Sequence, residues 1–465
     1  MNAYKNIERL EKFSNSSEIA EQAIKLLQMC IQADTTNPPG NEITLARKLK
    51  EIFDKVDSSF LTTKLIETAP NRGNLIVDYQ GTDPSNYPTW GFAAHLDVVP
   101  APGDWDHPPF SGDITETEND RFIWGRGAFD MKQIAVAHMV ALLTLIKEGF
   151  RPKGNLKLIF EADEERGGNK GAKLLVKNHY SDVKVDFLIT EGGGFKFPTG
   201  DDFVIQRGEK GKCQTKLILS GTPGHGSTPP DYESFALYKM VRVLEKIRER
   251  KIELYLDGVY EKTVDSFSLP KIAKFLLKKK RLIKPLLNVG KRIVGLNLDR
   301  FVIPLISDTI SPTIFKCGIK ENVISPSAEL TLDIRTLPSH DQDYIYRHLK
   351  EIIGNDLTEQ LKFEPIDVVD ASLSSIDTPY YEKINQVLQE MSPGATLVPI
   401  LGTGGTDMKH WRRKGIPCYG FSLMMNGPDL GFSDFIGLAH APNERISVTN
   451  LLLGTEFAYR LMKLV

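Results

Sequence analysis

Cysteine is scarce: the 465 residues hold four, Cys30, Cys213, Cys317 and Cys418, far apart and without paired spacing. That excludes a disulfide framework and a zinc ribbon, and it fits a reducing cytoplasm. Long apolar runs are missing as well. No stretch approaches membrane-spanning length, and the N-terminal "MNAYKNIERLEKFSNSSEIA" has no apolar centre for a secretory signal. A cytoplasmic location is therefore expected. Charge of one sign is also lacking, since 58 Lys and Arg against 60 Asp and Glu leave a net of -2. This excludes a generally basic nucleic-acid binder and leaves room only for a local patch. What is present is ordinary for a globular chain, at a length that calls for two or three domains.

The first two hundred residues alternate helical and strand patterns. Residues 17–33 and 41–56 have amphipathic helical spacing on either side of the breaker "TTNPPGN", and strands are expected near 73–79 and 88–95. A helix from about Met131 to Lys147, a strand reaching Glu161, a helix over 169–178 and a strand ending at Glu191 follow. Repeated units of this kind predict an α/β fold, a mixed sheet with helices on both faces and its chemistry at strand ends. From about Gly208 the grammar changes. Two units of an alternating strand plus a helix, "KCQTKLILS" with "SFALYKMVRVLEKIRER" and "SAELTLDIRT" with "DQDYIYRHLKEII", predict a small α+β (ferredoxin-like) domain. Near residue 372 the first pattern returns, with a helix over 377–391, two short strands and a last helix from about Ser447. The expected division is 1–207 and 372–465 for the larger domain, with 208–371 inserted.

In "GFAAHLDVVP" (91–100) an apolar strand ends on His95 and Asp97, two residues apart and so on one side of the chain. A core histidine bonded to an acid and a metal ligand with its orienting carboxylate both fit this stretch taken alone. Four others bear on the choice. "WGRGAFDMK" puts Asp130 after a glycine-rich turn, "EADEERGG" offers Glu161, Asp163, Glu164 and Glu165, "ITEGGG" offers Glu191, and "GLAHAPNERI" brings His440. Acids at the ends of adjacent apolar strands converge, and they repel each other unless something positive is bound. Two histidines, a shared aspartate and two glutamates suit two divalent metals with nitrogen and oxygen ligands.

The runs "HLDVVP", "GRGAFDMK", "DEE", "EGGG", "GTPGHGSTP", "NVI" and "AHAPNE", in this order over nearly the whole chain, resemble the di-zinc exopeptidase and amidohydrolase family. That family includes aminoacylase, bacterial glutamate carboxypeptidase, acetylornithine deacetylase and succinyl-diaminopimelate desuccinylase. The resemblance implies a zinc-exopeptidase-like catalytic domain, an inserted lid and dimerisation domain, and two zinc ions, or cobalt or manganese, per subunit. Asp130 would bridge the metals, His95 and Glu191 would complete one site, and Glu165 and His440 the other. Asp97 would orient His95 through its ring N–H, and Glu164 would be the general base for the metal-bridging water. A cis peptide between Asp130 and Met131 is expected. His225 would stabilise the oxyanion, in dimeric members from the partner subunit, which implies a homodimer here. Asn322 and Arg335 resemble substrate-binding residues, and Gly404, Gly405 and Thr406 resemble a loop lining the substrate end of the cleft. The substrate class implied is an N-acyl amino acid or a short peptide, cleaved at the amide beside a free carboxylate. A dipeptidase or aminopeptidase that recognises a free amine is the nearest rival. A metal-free binding protein of the same fold is a remote one, because no ligand position has been lost. The separation of Gly221 and Gly226 also imitates a phosphate loop, but Ser227 stands where that motif needs lysine.

One segment has no place in this pattern. Between 251 and 310 lies a basic amphipathic insertion, and residues 271–300 hold ten basic residues and one acid, Asp299. Two amphipathic helices covering the small domain, a wall for a lipid-like acyl group, and a patch for anionic membranes all fit it. Its placement resembles the branch of N-fatty-acyl amino acid hydrolases and yeast vacuolar carboxypeptidase. The other histidines (107, 138, 179, 340, 348 and 410) are expected to be structural or superficial.

Overall fold

Three apolar runs, Trp90–His95, Leu156–Glu161 and Phe187–Thr190, are buried along their whole length and lie parallel as neighbours. Full burial of both faces is what continuous apolar strands require. The computed structural model describes residues 17–118, 120–198, 200–294, 299–426 and 430–465. The first sixteen residues and 295–298 of the insertion therefore lie outside the described residues. The three strands belong to a nine-stranded mixed sheet whose edge is the antiparallel pair Leu61–Ala69 and Arg72–Tyr79. On the other side it continues through Cys418–Gly420 to Asp202–Glu209, which also pairs with Thr396–Gly402. Helices Ser17–Gln32, Lys132–Lys147, Pro379–Met391 and Val448–Met462 enclose the main core on one face. Ala172–Asn178 and Met408–Arg412 cover the other face around buried Trp411.

The second sheet is antiparallel, in the order Thr309–Cys317, Ser327–Thr336, Gly211–Ser220, Leu361–Val369. Its two central strands alternate buried and half-buried residues, and helices Ala236–Glu249 and Gln342–Ile353 cover the buried side. This is the strand order of a ferredoxin-like unit. The chain crosses between the sheets twice, at Lys210 and at 370–371. The crossings touch: a Cβ on Gly211 would lie 2.3 Å from Thr336 Oγ1 and 2.9 Å from Ala371 N, so only glycine fits there.

The insertion departs from one expectation. Its helices do not cover the small sheet but form a separate core of Leu254, Tyr260, Val264, Ile283, Leu287 and Ile306. Helix Gly258–Ser266 packs on the large sheet instead. Thr263 donates to the Pro399 carbonyl at 2.5 Å, and the Ser268 N–H donates to Asp202 at 2.9 Å. Strand Leu61–Ala69, and a ribbon of Ile114–Glu116, Arg121–Trp124 and Arg445–Ser447, were not anticipated.

Candidate metal centre

The parallel strands end together. His95 is register-paired with Glu161, and Glu191 follows the end of Phe187–Thr190. Asp130 joins them from the turn before helix Lys132–Lys147, with a cis peptide to Met131 as the resemblance implied. His95 Nε2 lies 3.2 Å from Asp130 Oδ1 and 3.8 Å from Glu191 Oε2. His440 Nε2 lies 3.2 Å from Asp130 Oδ2 and 3.1 Å from Glu165 Oε2. Asp130 thus stands between the two histidines, one oxygen toward each. Two donor groups, His95–Asp130–Glu165 and His95–Glu164–Glu191, each have their ligand atoms within 4.8 Å of one another. Glu164 therefore lies among the donors, whereas the resemblance set it outside the ligand shell.

Asp97 acts differently from the expectation. His95 Nδ1 meets the main-chain carbonyl of Asp97 at 2.9 Å and its carboxylate only at 3.6 Å. The carboxylate instead accepts the N–H groups of Glu164 at 3.0 Å and Glu165 at 3.1 Å, and the Asn37 amide at 2.8 Å. It shapes the acidic loop, while the main chain fixes the histidine ring. Below it, Arg72 binds Glu42, Asp163 and Asn37 in a buried network. That loop also needs Gly168, at φ +69, where a Cβ would lie 2.0 Å from Asp407 Oδ1.

The electrostatics call for positive charge. Burial, then repulsion from Glu191, pushes the Glu164 carboxyl well above its ordinary range. Burial and the Asp130 charge raise Glu191 to about 7. Burial opposes protonation of His95, yet Asp130 and Glu191 hold its pKa well above the usual value. Bonds to Asp130 and Glu165 lift His440 to about 10. Glu165 Oε1 is buried without a hydrogen-bond partner. Imidazole nitrogens and carboxylate oxygens in this crowding fit divalent metals with nitrogen and oxygen ligands, which would offset the desolvated negative charge.

A cleft of ≈840 Å³ opens from this cluster. Arg335, Gly404, Gly405 and Thr406 line it, and so does His410, which had been expected to be structural or superficial. His225 and Asn322 do not line it. They sit together on an exposed two-stranded ribbon, 3.4 Å apart.

Glu444 was missed. It is fully buried, accepts from the N–H groups of Gly127, Phe129 and Asp130 at 2.8–3.0 Å, and pairs with Arg126 at 2.6 Å. It was visible only as the last letter of "AHAPNE". Asp407, buried beside Glu161 and Glu164, was hidden in the glycine-rich loop.

Strand-end acids and histidines opening on a cleft define a metal-dependent hydrolase of the exopeptidase type. The particular family is shown by comparison: residues 91–464 match the model of peptidase family M20/M25/M40, and the chain belongs to that family. It is similar to the N-fatty-acyl-amino acid synthase/hydrolase PM20D1 of Mus musculus, 29% identical over 97% of this chain and 89% of that protein. It is also similar to the probable carboxypeptidase S-like 2 of Dictyostelium discoideum, 29% identical over 84% and 74%. Among solved structures, the M20 metallo-carboxypeptidase Sso-CP2 of Sulfolobus solfataricus shares the fold, with a TM-score of 0.70 at 19% identity over 95% of this chain and 99% of that one. Human carnosine dipeptidase 1 does so with a TM-score of 0.66 at 17% identity, over 98% of each.

Proposed function

We propose that this hydrolase cleaves the amide of an N-acyl amino acid, or the last peptide bond of a short peptide, beside a free carboxylate. The observation that carries the reading is Arg335 on the wall of the cleft that holds Glu164 and the candidate ligands. A guanidinium presents parallel N–H groups to a carboxylate. Arg335 already touches Asp333 at 3.1 Å, which holds it in place on its strand. Lys210 and Lys212 stand in the same wall, the first bonded to the Pro304 and Ser307 carbonyls and the second paired with Asp367. The rival that binds a free amine needs an uncommitted acid at this end. Glu209 pairs with Arg412 at 2.9 Å and Asp367 with Lys212 at 2.8 Å, so both acids there are engaged.

Asp130 is assigned as the shared ligand, with His95 and Glu191 on one side and Glu165 and His440 on the other. When bound, zinc, cobalt or manganese there supplies Lewis-acid polarisation of the carbonyl and acidifies a water toward neutral pH. Glu164 takes the proton of the attacking water and delivers it to the amide nitrogen as the C–N bond breaks, a role that its place among the donors allows. Gly404, Gly405 and Thr406 line the substrate end of the cleft, where the Thr406 N–H is already given to Glu209. The names of the PM20D1 relatives support a long acyl group on the substrate.

His225 and Asn322 lie outside their own chain's cleft, which supports a homodimer in which each subunit lends the pair to the other. The exposed Ile314 and Phe315 on the edge strand Thr309–Cys317 suit such an interface. Mixing Glu164→Ala with His225→Ala subunits tests this: recovered turnover supports lending, and none removes it.

The deciding experiment is hydrolysis by metal-loaded enzyme, with a chelated control, of N-acetyl and N-long-chain-acyl amino acids, free dipeptides, and the same compounds amidated at the carboxylate. Chelator-sensitive cleavage lost on amidation is the expected result. Cleavage that needs the amine instead transfers the protein to the dipeptidase side and leaves Arg335 without its assigned partner.

A further inference from the structure

We infer that the basic insertion is a docking surface for an anionic lipid bilayer, with Ile272 and Phe275 entering the headgroup region. Residues 271–288 hold seven cations and no acid. Helix Lys271–Leu277 buries none of its residues. Ile272 is 75% and Phe275 60% exposed, one turn apart on the same side. Lys279 lies over the Phe275 ring at 4.4 Å, so aromatic and cation stand together. Helix Lys280–Val294 follows, anchored by buried Ile283 and Leu287, with Arg281, Leu282 and Lys284 turned to solvent.

Most of the charges are not spent internally. Lys278 bridges Asp265 at 2.6 Å and Lys274 donates to the Asp265 carbonyl. Among the described residues, no carboxylate lies within ion-pair distance of Lys271, Lys279, Lys280, Arg281 or Lys284. Beside them opens a groove of ≈570 Å³ lined by Tyr255, Asp257 and Lys278 to Arg281. Asp257 is occupied in capping helix Gly258–Ser266.

Cations around exposed aliphatic and aromatic side chains match the chemistry of an anionic membrane surface, where phosphates meet the first methylenes. A soluble polyanion would leave Ile272 and Phe275 without an apolar partner. The insertion is also tied to the body of the protein. Its core rests on the large sheet through Thr263, and Lys210 of the cleft wall donates to the Pro304 and Ser307 carbonyls. No helix among the described residues is long and apolar enough to cross a membrane.

The test is co-sedimentation of the full chain with vesicles of phosphatidylcholine alone, or with about one third phosphatidylserine. Capture by the anionic vesicles, weakened by salt, is expected, with little on neutral ones. Lys279→Glu/Arg281→Glu/Lys284→Glu should lower the partition coefficient at least about tenfold, by removing attraction to the surface charge. Ile272→Ser/Phe275→Ser should lower it severalfold while keeping the salt dependence. A Phe275→Trp variant should show blue-shifted emission, quenched by bromine-labelled lipid, only with anionic vesicles. Both multiple variants should keep the wild-type circular dichroism spectrum, which separates lost docking from lost folding. Equal capture on neutral vesicles, no capture at all, or capture indifferent to both variants overturns the inference. Binding is read without turnover, so it stands or falls apart from the substrate assignment.

Discussion

The candidate metal centre and the basic insertion hold opposite charge in opposite ways. In the centre, acids are packed onto the ends of buried strands, and the groups that hold them are buried too. Asp97 takes the N–H groups of Glu164 and Glu165, and Glu444 takes that of Asp130. In the insertion, cations stand in solvent on short helices around a core of six residues. Burial fixes an acid in position and raises the cost of its charge, so such a cluster specifies both geometry and a cation. Exposure leaves each cation cheap and loosely placed, so such a patch acts through its summed field.

The contrast breaks first at Glu164. Glu164→Gln should lower kcat by about 10²–10⁴-fold, the usual range for a proton-transfer group, with metal content unchanged. Because Glu164 lies among the donors of His95 and Glu191, metal analysis is part of the test. Loss of metal in this variant makes Glu164 a ligand and leaves the base unassigned. Glu444→Ala comes next. It strands three N–H groups and the buried Arg126 guanidinium, and losing one partner of a buried pair costs about 3–5 kcal/mol. Unfolding temperature should fall accordingly. Metal affinity should fall by about 10–100-fold, because the main chain of Asp130 loses its anchor. A variant with wild-type stability would mean that the turn before Lys132 holds itself.

A smaller effect belongs to His138, buried in the large core beside the Phe92 ring. Burial drops its pKa from 6.5 to about 3. Above 6.5 the ring is neutral in both states and contributes no pH dependence. Below 6.5 the unfolded chain takes a proton that the folded chain refuses until about 3, so stability falls as pH falls through this window. One proton is worth about 1.4 kcal/mol per pH unit. His138→Leu should therefore lose about 2 kcal/mol less than the parent between pH 6.5 and 5, read from unfolding temperatures across that range.

The same difference between burial and exposure decided what was legible in the sequence. His95, Asp130, Glu191 and the acids of 161–165 stood out because polar letters end apolar strands or follow a glycine turn, and these strand ends do converge; the choice of Glu164 and Glu165 among those acids, and the place of His440, came from the resemblance. Asp97 does adjoin His95, but through its main-chain carbonyl more closely than its carboxylate, a distinction that sequence does not carry. Glu444 and the Glu42–Arg72–Asp163 network escaped because their partners lie from 30 to over 300 residues away. Strand Leu61–Ala69 escaped because an edge strand is half exposed and lacks the apolar run. The insertion's helices were legible from their spacing, but their resting place on the large sheet depends on Thr263 and Ser268, which carry no periodic signal.

The smallest expected effect sharpens the comparison most. Lys279→Glu/Arg281→Glu/Lys284→Glu reverses three charges, yet stability should change by less than about 0.5 kcal/mol per site, as for exposed residues without specific partners. Hydrolysis of a soluble short-chain substrate should be unchanged, because none of the three lines the cleft. Urea unfolding and turnover, measured on the same preparation, check both. A marked loss of stability would mean that these cations hold the insertion against the large sheet, and the patch would then belong with the buried networks. A turnover change without stability loss would mean that the field reaches the cleft, whose wall already carries Lys210, Lys212 and Arg335. In that case its salt dependence should weaken in the variant, since long-range attraction is screened within about 10 Å at moderate ionic strength.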